Sequence, residues 1–401
     1  MAVREFDPFI RNEREEKLAR YAEALASQIA KTAHVYDESG AFPFEHFDLL
    51  RKEGYLKLTV PKQYGGDEIS LYETLLVQER LARGDGSTAL AVGWHLLTFL
   101  NLRSVRPWKE EVFARLCRAA VKEGKMLNII SSERETGNLA RGGIPSTIAK
   151  RTSGGYMISG VKSFASLAPI LDHFTISAYL EDEDKVAEFL ITKNENVKVI
   201  ESWNTIGMRS TGSHDIELND VFVPEEALLS HLDDNHINRF TADSRAYSLE
   251  VPAVYLGIAW AARDFILDFA VSKYSRSFGG EIADIPHIRD KIGKIEILLK
   301  SSRHTLYAIA EKWENDPEHK DRFSDEVSMA KYIICNNAIR IVELAMRIAG
   351  GHALSKNHKL ERLFRDVQCG PFHPPQDDMV IHQLTDSVLA KVKAKKSRVE
   401  N

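Results

Sequence analysis

Between Arg14 and Ala33 apolar residues return every three or four positions, at Leu18, Ala22, Leu25 and Ile29, which places them on one stripe of a helix. Pro43 then opens a second amphipathic segment carrying Phe44, Phe47 and Leu50, and Gly54 ends it. Thr59 to Asp67, TVPKQYGGD, is a loop by its Pro and Gly content, and the run LYETLLVQERLARGDGSTALAVGWHLL after it predicts a long helical hairpin in the core. From Met126 to Pro224 the pattern alternates. GYMISGVKSFAS, HFTISAYL, VAEFLIT, VKVIES and DIELNDVFVP are β-branched or aromatic runs between turn residues, which predicts a β domain of about 100 residues. The acidic turn Glu181 to Lys185 fits a solvated hairpin tip. From Arg245 to Val392 the helical period returns, chiefly in LGIAWAARDFILDFAVSKY, HIRDKIGKIEILLKSSRHTLYAIAEKW and SMAKYIICNNAIRIVELAMRIAGG. The expectation is an α+β chain in three regions of one compact subunit: an N-terminal helical domain over 1–125, a middle β-barrel-like domain over 126–235 and a C-terminal helical bundle over 236–401.

Charge and cysteine content narrow the function classes. A net charge of -5 offers no overall attraction to nucleic acid or anionic lipid, so neither partner is expected. The start, MAVREFDPFIRNEREEK, carries no apolar stretch behind a basic flank, and no run of 18 apolar residues occurs, so a soluble, cytoplasmic protein without membrane attachment is expected. Cys117, Cys335 and Cys369 are far apart and lack CxxC spacing, which indicates neither a disulfide framework nor a thiolate metal site. The basic end LAKVKAKKSRVEN reads as a solvated helix end.

Three segments of the β region concentrate candidate chemistry: SSERETGN (Ser131 to Asn138), GVKSFAS (Gly160 to Ser166) and WNTIGMRSTGSHDIELNDVFVP (Trp203 to Pro224). A flavin ring needs hydroxyls and backbone N–H groups where its reduced form gathers charge, and Ser131, Ser132, Ser166 and Thr211 are residue types that can serve. Taken singly, Ser and Thr beside Gly are also ordinary turn formers. Together, in this order, the three segments resemble the acyl-CoA dehydrogenase superfamily, over roughly residues 15 to 390.

The resemblance implies an N-terminal helical domain, a middle β domain and a C-terminal four-helix bundle assembled as a homodimer or homotetramer around FAD. It places Ser132 at the flavin-facing threonine and Gly137 at the second glycine of the family's Thr-Glu-Pro-Gly-x-Gly-Ser motif, with Arg134 in place of the proline. Arg134 would then either stabilise an anion near the flavin or point to solvent. Phe164 falls at the aromatic position backing the flavin and Ser166 at the hydroxyl near N5, while plain core packing of Phe164 is the alternative. YSRSFG, Tyr274 to Gly279, resembles the Arg-x-x-Phe-Gly signature, making Arg276 and Phe278 candidates for the dinucleotide across a subunit interface. IAGGHAL puts Gly350 and Gly351 at the family's Gly-Gly turn, where backbone would approach the same dinucleotide or simply cap a helix.

The reaction itself is not implied as clearly. Counting from Arg365 and Asp366, Pro374 stands where most acyl-CoA dehydrogenases carry the glutamate that removes the substrate α-proton, and proline is no base. The alternative family position for that glutamate holds Tyr247, with Ser248 where an arginine contacting CoA is common. Glu250 and Asp378 are the nearby carboxylates that would substitute, or else structural and surface groups. His373, followed by Pro374, resembles the C-terminal segment of flavin monooxygenases built on this fold, where a histidine assists oxygen chemistry; a structural role is the alternative. Two activities are therefore expected: α,β-dehydrogenation of an acyl-CoA-like thioester with an unconventional base and an electron-transfer flavoprotein as acceptor, or oxygenation of a small aromatic or heterocyclic substrate by reduced FAD or FMN from a flavin reductase.

Overall fold

The computed structural model describes residues 6–105, 108–136, 144–232 and 245–397. Helix α1 (Glu13–Ile29) begins where the Asn12 side chain accepts from the Glu15 amide; of its expected stripe Ala22, Leu25 and Ile29 are buried and Leu18 is half-buried, with Ala19 turned fully inward beside it. Two short helices, α2 (Ala33–Ser39) and α3 (Phe44–Lys52), lead to the expected hairpin of α4 (Leu71–Gly84) and α5 (Gly86–Val105). A reciprocal cap between Ser70 and Glu73 starts α4. Almost every residue of α5 is buried, because it is covered on several sides: by α4, by β1, and by α7 (Glu250–Ser272) of the C-terminal region. Space for a Cβ at Gly86 is taken by Ile258 and at Gly93 by Glu250, so α5 and α7 run antiparallel in close contact. Helix α6 (Glu110–Glu123) completes a second, smaller core with Phe99, Trp108 and Leu127.

The middle region is an eight-stranded sheet ordered β6 (Val197–Ile200), β7 (His214–Pro224), β3 (Gly155–Ala165), β2 (Ile148–Thr152), β4 (His173–Leu180), β5 (Lys185–Thr192) and β8 (Leu228–His231), with β1 (Leu127–Ile130) beside β4. Two pairs, β1 with β4 and β2 with β4, are parallel, which alternation alone does not reveal. The acidic tip turns between β4 and β5 with Asp184 in a left-handed conformation. His95, buried on α5, staples the helical region to the sheet: its Nε2 donates to the Leu56 carbonyl at 2.9 Å and its Nδ1 accepts from the Leu127 amide at 3.1 Å.

The C-terminal region packs α7 with α8 (Pro286–Asn315) and α9 (Ser324–Ala349), with α11 (Asp377–Ser397) along α9. A small hairpin, β9 (Tyr274–Ser275) and β10 (Gly280–Glu281), follows α7. Short α10 (Lys359–Val367) crosses from α9 to the edge of the sheet. There Arg365 grips Asp37 at 2.5 Å and the Ile206 carbonyl at 2.9 Å. A buried charge network ties the other side: Arg303 meets Glu79 at 2.8 Å and Asp7 at 2.9 Å, Arg80 meets Asp7 at 2.5 Å, and the Tyr307 hydroxyl donates to Glu79.

Candidate active site

The long pair β3 and β7 slips register between Lys162 and Ala165, and Phe164 sits in the slip with φ of 57°. A bulge of this kind re-aims side chains. Lys162 and Ser163 are consecutively buried, while Phe164 is turned out to 62 % exposure, edge-on to Trp203 at 6.0 Å. Just beyond the bulge, Ser166, Ser213 and Thr211 form a buried hydroxyl chain, with oxygens 2.8 and 2.7 Å apart. Asn128 of β1 holds the Ser166 carbonyl at 3.1 Å.

The loop bearing Ser131 and Ser132 is anchored beneath this chain. Ser132 accepts from the Ser163 amide at 2.8 Å. Its neighbour Glu133 is buried and receives Lys162 Nζ at 2.5 Å together with the hydroxyls and amides of Ser146 and Thr147. Burial alone would raise this carboxyl, but the Lys162 charge and the hydroxyl donors hold it down to about 2. Ser131 and Ser132 remain half-buried at the rim.

The third segment docks against α10. The Met208 amide donates to Asp366 at 2.7 Å, Trp203 Nε1 donates to the Met208 carbonyl at 2.9 Å, and a Cβ at Gly207 would lie 2.2 Å from the Arg365 carbonyl. Met208 also reaches Ser87 and Gly86 at the start of α5. Met208 thus ties the loop that bears Thr211 both to α10 and to the start of α5.

About 10 Å further along α5, seven residues beyond Ser87, stands Trp94. Its ring lies 6.3 Å from that of His373, whose Nε2 shares a 2.7 Å hydrogen bond with the Tyr255 hydroxyl. Packing between these rings pushes the His373 pKa down to about 4, aided by the nearby Lys331 ammonium, so the imidazole is neutral at pH 7. Beside it Pro374 is exposed.

Glu250 and Asp378 lie elsewhere. Glu250 is wholly buried at the start of α7, its Oε1 accepting from Gln78 at 2.5 Å and its Oε2 without a partner among the described residues. Asp378 is exposed on the first turn of α11, while its neighbour Asp377 is the one that turns inward to Lys331. Arg134 is solvent-exposed and paired with Asp215 at 2.7 Å. Gly137 lies outside the described residues. Arg276 and Phe278 are exposed in the hairpin after α7, and Gly350 and Gly351 are exposed where α9 ends, with open space at each Cβ. His352 packs 6.3 Å from Phe269, so these two elements share one end of the bundle. Ser275, not Arg276, stands three residues before Phe278, so the arginine is one position out of the family signature.

Family models of the acyl-CoA dehydrogenase N-terminal, middle and C-terminal domains match residues 12–104, 128–221 and 249–373. The Bacillus subtilis protein YdbM, whose name as an acyl-CoA dehydrogenase is itself provisional, is 38% identical over 377 residues, covering 94% of this chain and 97% of its own. The chain belongs to the acyl-CoA dehydrogenase superfamily. Other relatives of this superfamily member carry out different chemistry. L-evernosamine nitrososynthase of a Micromonospora species is 26% identical over 360 residues, 87% of this chain and 84% of its own. KijD3, solved with FMN and an amino-keto deoxysugar nucleotide, superposes with a TM-score of 0.81 at 25% identity over 94% of each chain.

The residues of this superfamily member fit a flavin. An apolar ring turned outward by a bulge, a buried hydroxyl chain beginning two residues beyond it and half-buried serines joined to the same strand at Ser163 are the stacking face and donors such a ring requires. Ser213, Asn128, Trp94, Tyr255 and Lys331 were not singled out in the sequence. Ser213 had a signal, two residues after Thr211 on the same strand approach; Trp94, Tyr255 and Lys331 sit in apolar helical runs that announce only burial.

Proposed function

We propose that this chain is a flavin-dependent monooxygenase that takes reduced flavin from a partner reductase and oxygenates a small aromatic or heterocyclic substrate. The carrying observation is the pair in the loop between α10 and α11: Pro374 where a dehydrogenase needs its carboxylate, and beside it a neutral His373 bonded to Tyr255 and packed near Trp94. A nitrososynthase and an FMN-bound relative among the similar proteins support the reading.

In this reading the bound, reduced flavin supplies the electrons that activate oxygen. Phe164 and Trp203 would back its ring, and the hydroxyls of Ser131, Ser132, Ser166 and Thr211 would hydrogen-bond around its polar edge. His373 offers a neutral imidazole that hands a proton over from Nε2 or accepts one there, with Tyr255 as its relay. Trp94 and Tyr255 put aromatic rings beside His373, and Ser248, at the CoA-arginine position, is bonded to the Arg245 carbonyl and offers CoA no charge. Either FAD or FMN satisfies the ring contacts; FAD would add the Arg276, Phe278, Gly350 and Gly351 elements, contributed by another copy in a homodimer or homotetramer. Among the described residues no helix is long and apolar enough to cross a membrane, and a cytoplasmic setting with a soluble reductase is part of the proposal.

A second reading, dehydrogenation of an acyl-CoA thioester with an electron-transfer flavoprotein as acceptor, is favoured by one observation. Burial lifts Glu250 to about 8 against the opposing Gln78 hydrogen bond, which is the kind of shift a catalytic base needs. The two separate experimentally. Oxygenated product from reduced FMN or FAD with a panel of indoles, thiophenes and phenols is expected, falling about 100-fold in His373→Ala. Anaerobic titration of the oxidised protein with acyl-CoA thioesters should leave the visible flavin absorbance intact. Bleaching that disappears in Glu250→Gln would overturn the monooxygenase in favour of the dehydrogenase.

A further inference from the structure

We propose that Lys331 is a positioning residue, a buried clamp on α9 that fixes the loop carrying His373 against Tyr255 and Trp94. This rests on the assignment of His373 as the reactive imidazole. The side chain of Lys331 is only 4 % exposed and lies on the inward face of α9 among Val327, Ala330, Ile334 and Cys335. An ammonium placed there costs several kcal/mol of desolvation unless it is well bonded, and an apolar side chain would satisfy the packing equally well. Its bonds go to the loop. Nζ donates to the Pro371 carbonyl at 3.0 Å and to Asp377 Oδ1 at 3.0 Å, while Asp377 Oδ2 accepts from Asn336 at 2.8 Å.

Those two partners bracket His373, two residues before it and four after. The loop's own backbone bonds near the ring, Phe372 to Cys369 at 3.2 Å and His373 to Gly370 at 3.3 Å, are long ones. The ring is therefore placed from outside its own segment: by Tyr255 of α7 at Nε2, by Trp94 of α5 against its face, and by Lys331 of α9 through the strand of chain that bears it. The charged or titratable groups facing it are Tyr255, Lys331 and Asp377, with Cys335, Cys369, Asp366 and Glu250 behind Tyr255. Lys331 adds a second effect, because its positive charge disfavours a proton on the imidazole.

The test is the ring titration of His373, followed by NMR on histidine-labelled, flavin-free protein, with the His373→Gln spectrum giving the assignment. Because neither flavin nor substrate is present, the outcome does not depend on which reaction the protein catalyses. In Lys331→Met the midpoint should rise from about 4 by at least about one unit, a tenfold gain in proton affinity, as water and protons reach the loosened ring. Lys331→Arg, which keeps charge and donors, should stay near the native value. In turnover, Lys331→Met should release about threefold more peroxide per oxygen consumed. A folded Lys331→Met protein whose His373 titrates as in the native chain would overturn the proposal and leave Lys331 a core-filling residue. Should that variant fail to fold, Lys331→Leu, which likewise removes both donor and charge, is read by the same criterion. Loss of oxygenation in the native protein would instead sink the functional assignment while leaving the titration result standing.

Discussion

A single buried carboxyl shows how far environment overrides residue type. Glu250 has no solvent, one amide donor and, among the described residues, no partner for its other oxygen, and burial holds it protonated up to about pH 8, far above its ordinary 4.5. A group whose folded pKa is raised contributes stability that is fully present below pH 4.5 and lost as pH climbs toward 8; by pH 7 the loss is about 3 kcal/mol. Glu250→Gln keeps the shape and the bond from Gln78 without that proton. Urea unfolding at pH 7 should find the variant more stable by about 2–3 kcal/mol, with the difference vanishing below pH 4.5. A variant less stable at pH 7 would mean that the carboxyl is ionised in place with a partner. His95 works in the opposite sense: burial depresses it to about 4, so the stability it contributes is present above pH 6.5 and lost as pH falls through 4. In Glu250→Gln, where the opposing slope is gone, stability should therefore rise more steeply between pH 5 and 6.5 than in the native chain.

At the scale of elements, the residues proposed for the flavin ring stand out in the sequence, and the aromatic residues around His373 do not. Phe164 at the end of β3, Ser166 just after it and Thr211 shortly before β7 stand where the strand alternation breaks, and a break in the pattern is visible in the sequence. Trp94 and Tyr255 belong to α5 and α7, helices buried on nearly every face, so their periodicity carries no information about which side chain meets His373. The bond that selects Tyr255 joins it to a residue 118 positions away, and only the tertiary fold makes that link. The parallel pairs of the sheet were hidden for the same reason: alternation fixes faces, not partners. What holds the two sets of residues together is the seam between the Trp203 loop and α10, and Gly207 is its narrowest point. A methyl group there would lie 2.2 Å from the Arg365 carbonyl, a backbone atom that cannot rotate away. Gly207→Ala should push the loop from α10, breaking the Met208 to Asp366 bond, and weaken flavin binding about tenfold or more with a folded helical core retained. Fluorescence titration with FMN and FAD measures the first, far-ultraviolet circular dichroism the second; unchanged flavin affinity would show that the seam does not set the ring site.

Across the whole molecule, the elements assigned to the dinucleotide lie apart from those assigned to its ring. The Met208 loop meets α7 near Ile258, while the hairpin carrying Arg276 and Phe278 begins after Ser272, about 20 Å along that helix. Gly350 and Gly351 close the same far end. One copy therefore carries the residues proposed for the ring at one place and an exposed Arg, Phe and Gly-Gly set at another, which fits the proposal of a cofactor gripped by two copies. The exposed apolar residues Ile381, Val388, Leu389 and Val392 along α11 give a second copy something to cover. If the cofactor is FAD held between copies, His373→Ala and Arg276→Ala should each be nearly inactive alone, and equal co-expression should restore about a quarter of native activity, because half the dimers are mixed and each mixed dimer keeps one intact site. Full activity in Arg276→Ala with FMN, and no recovery on mixing, would place the whole cofactor within one copy and make the ring site sufficient by itself.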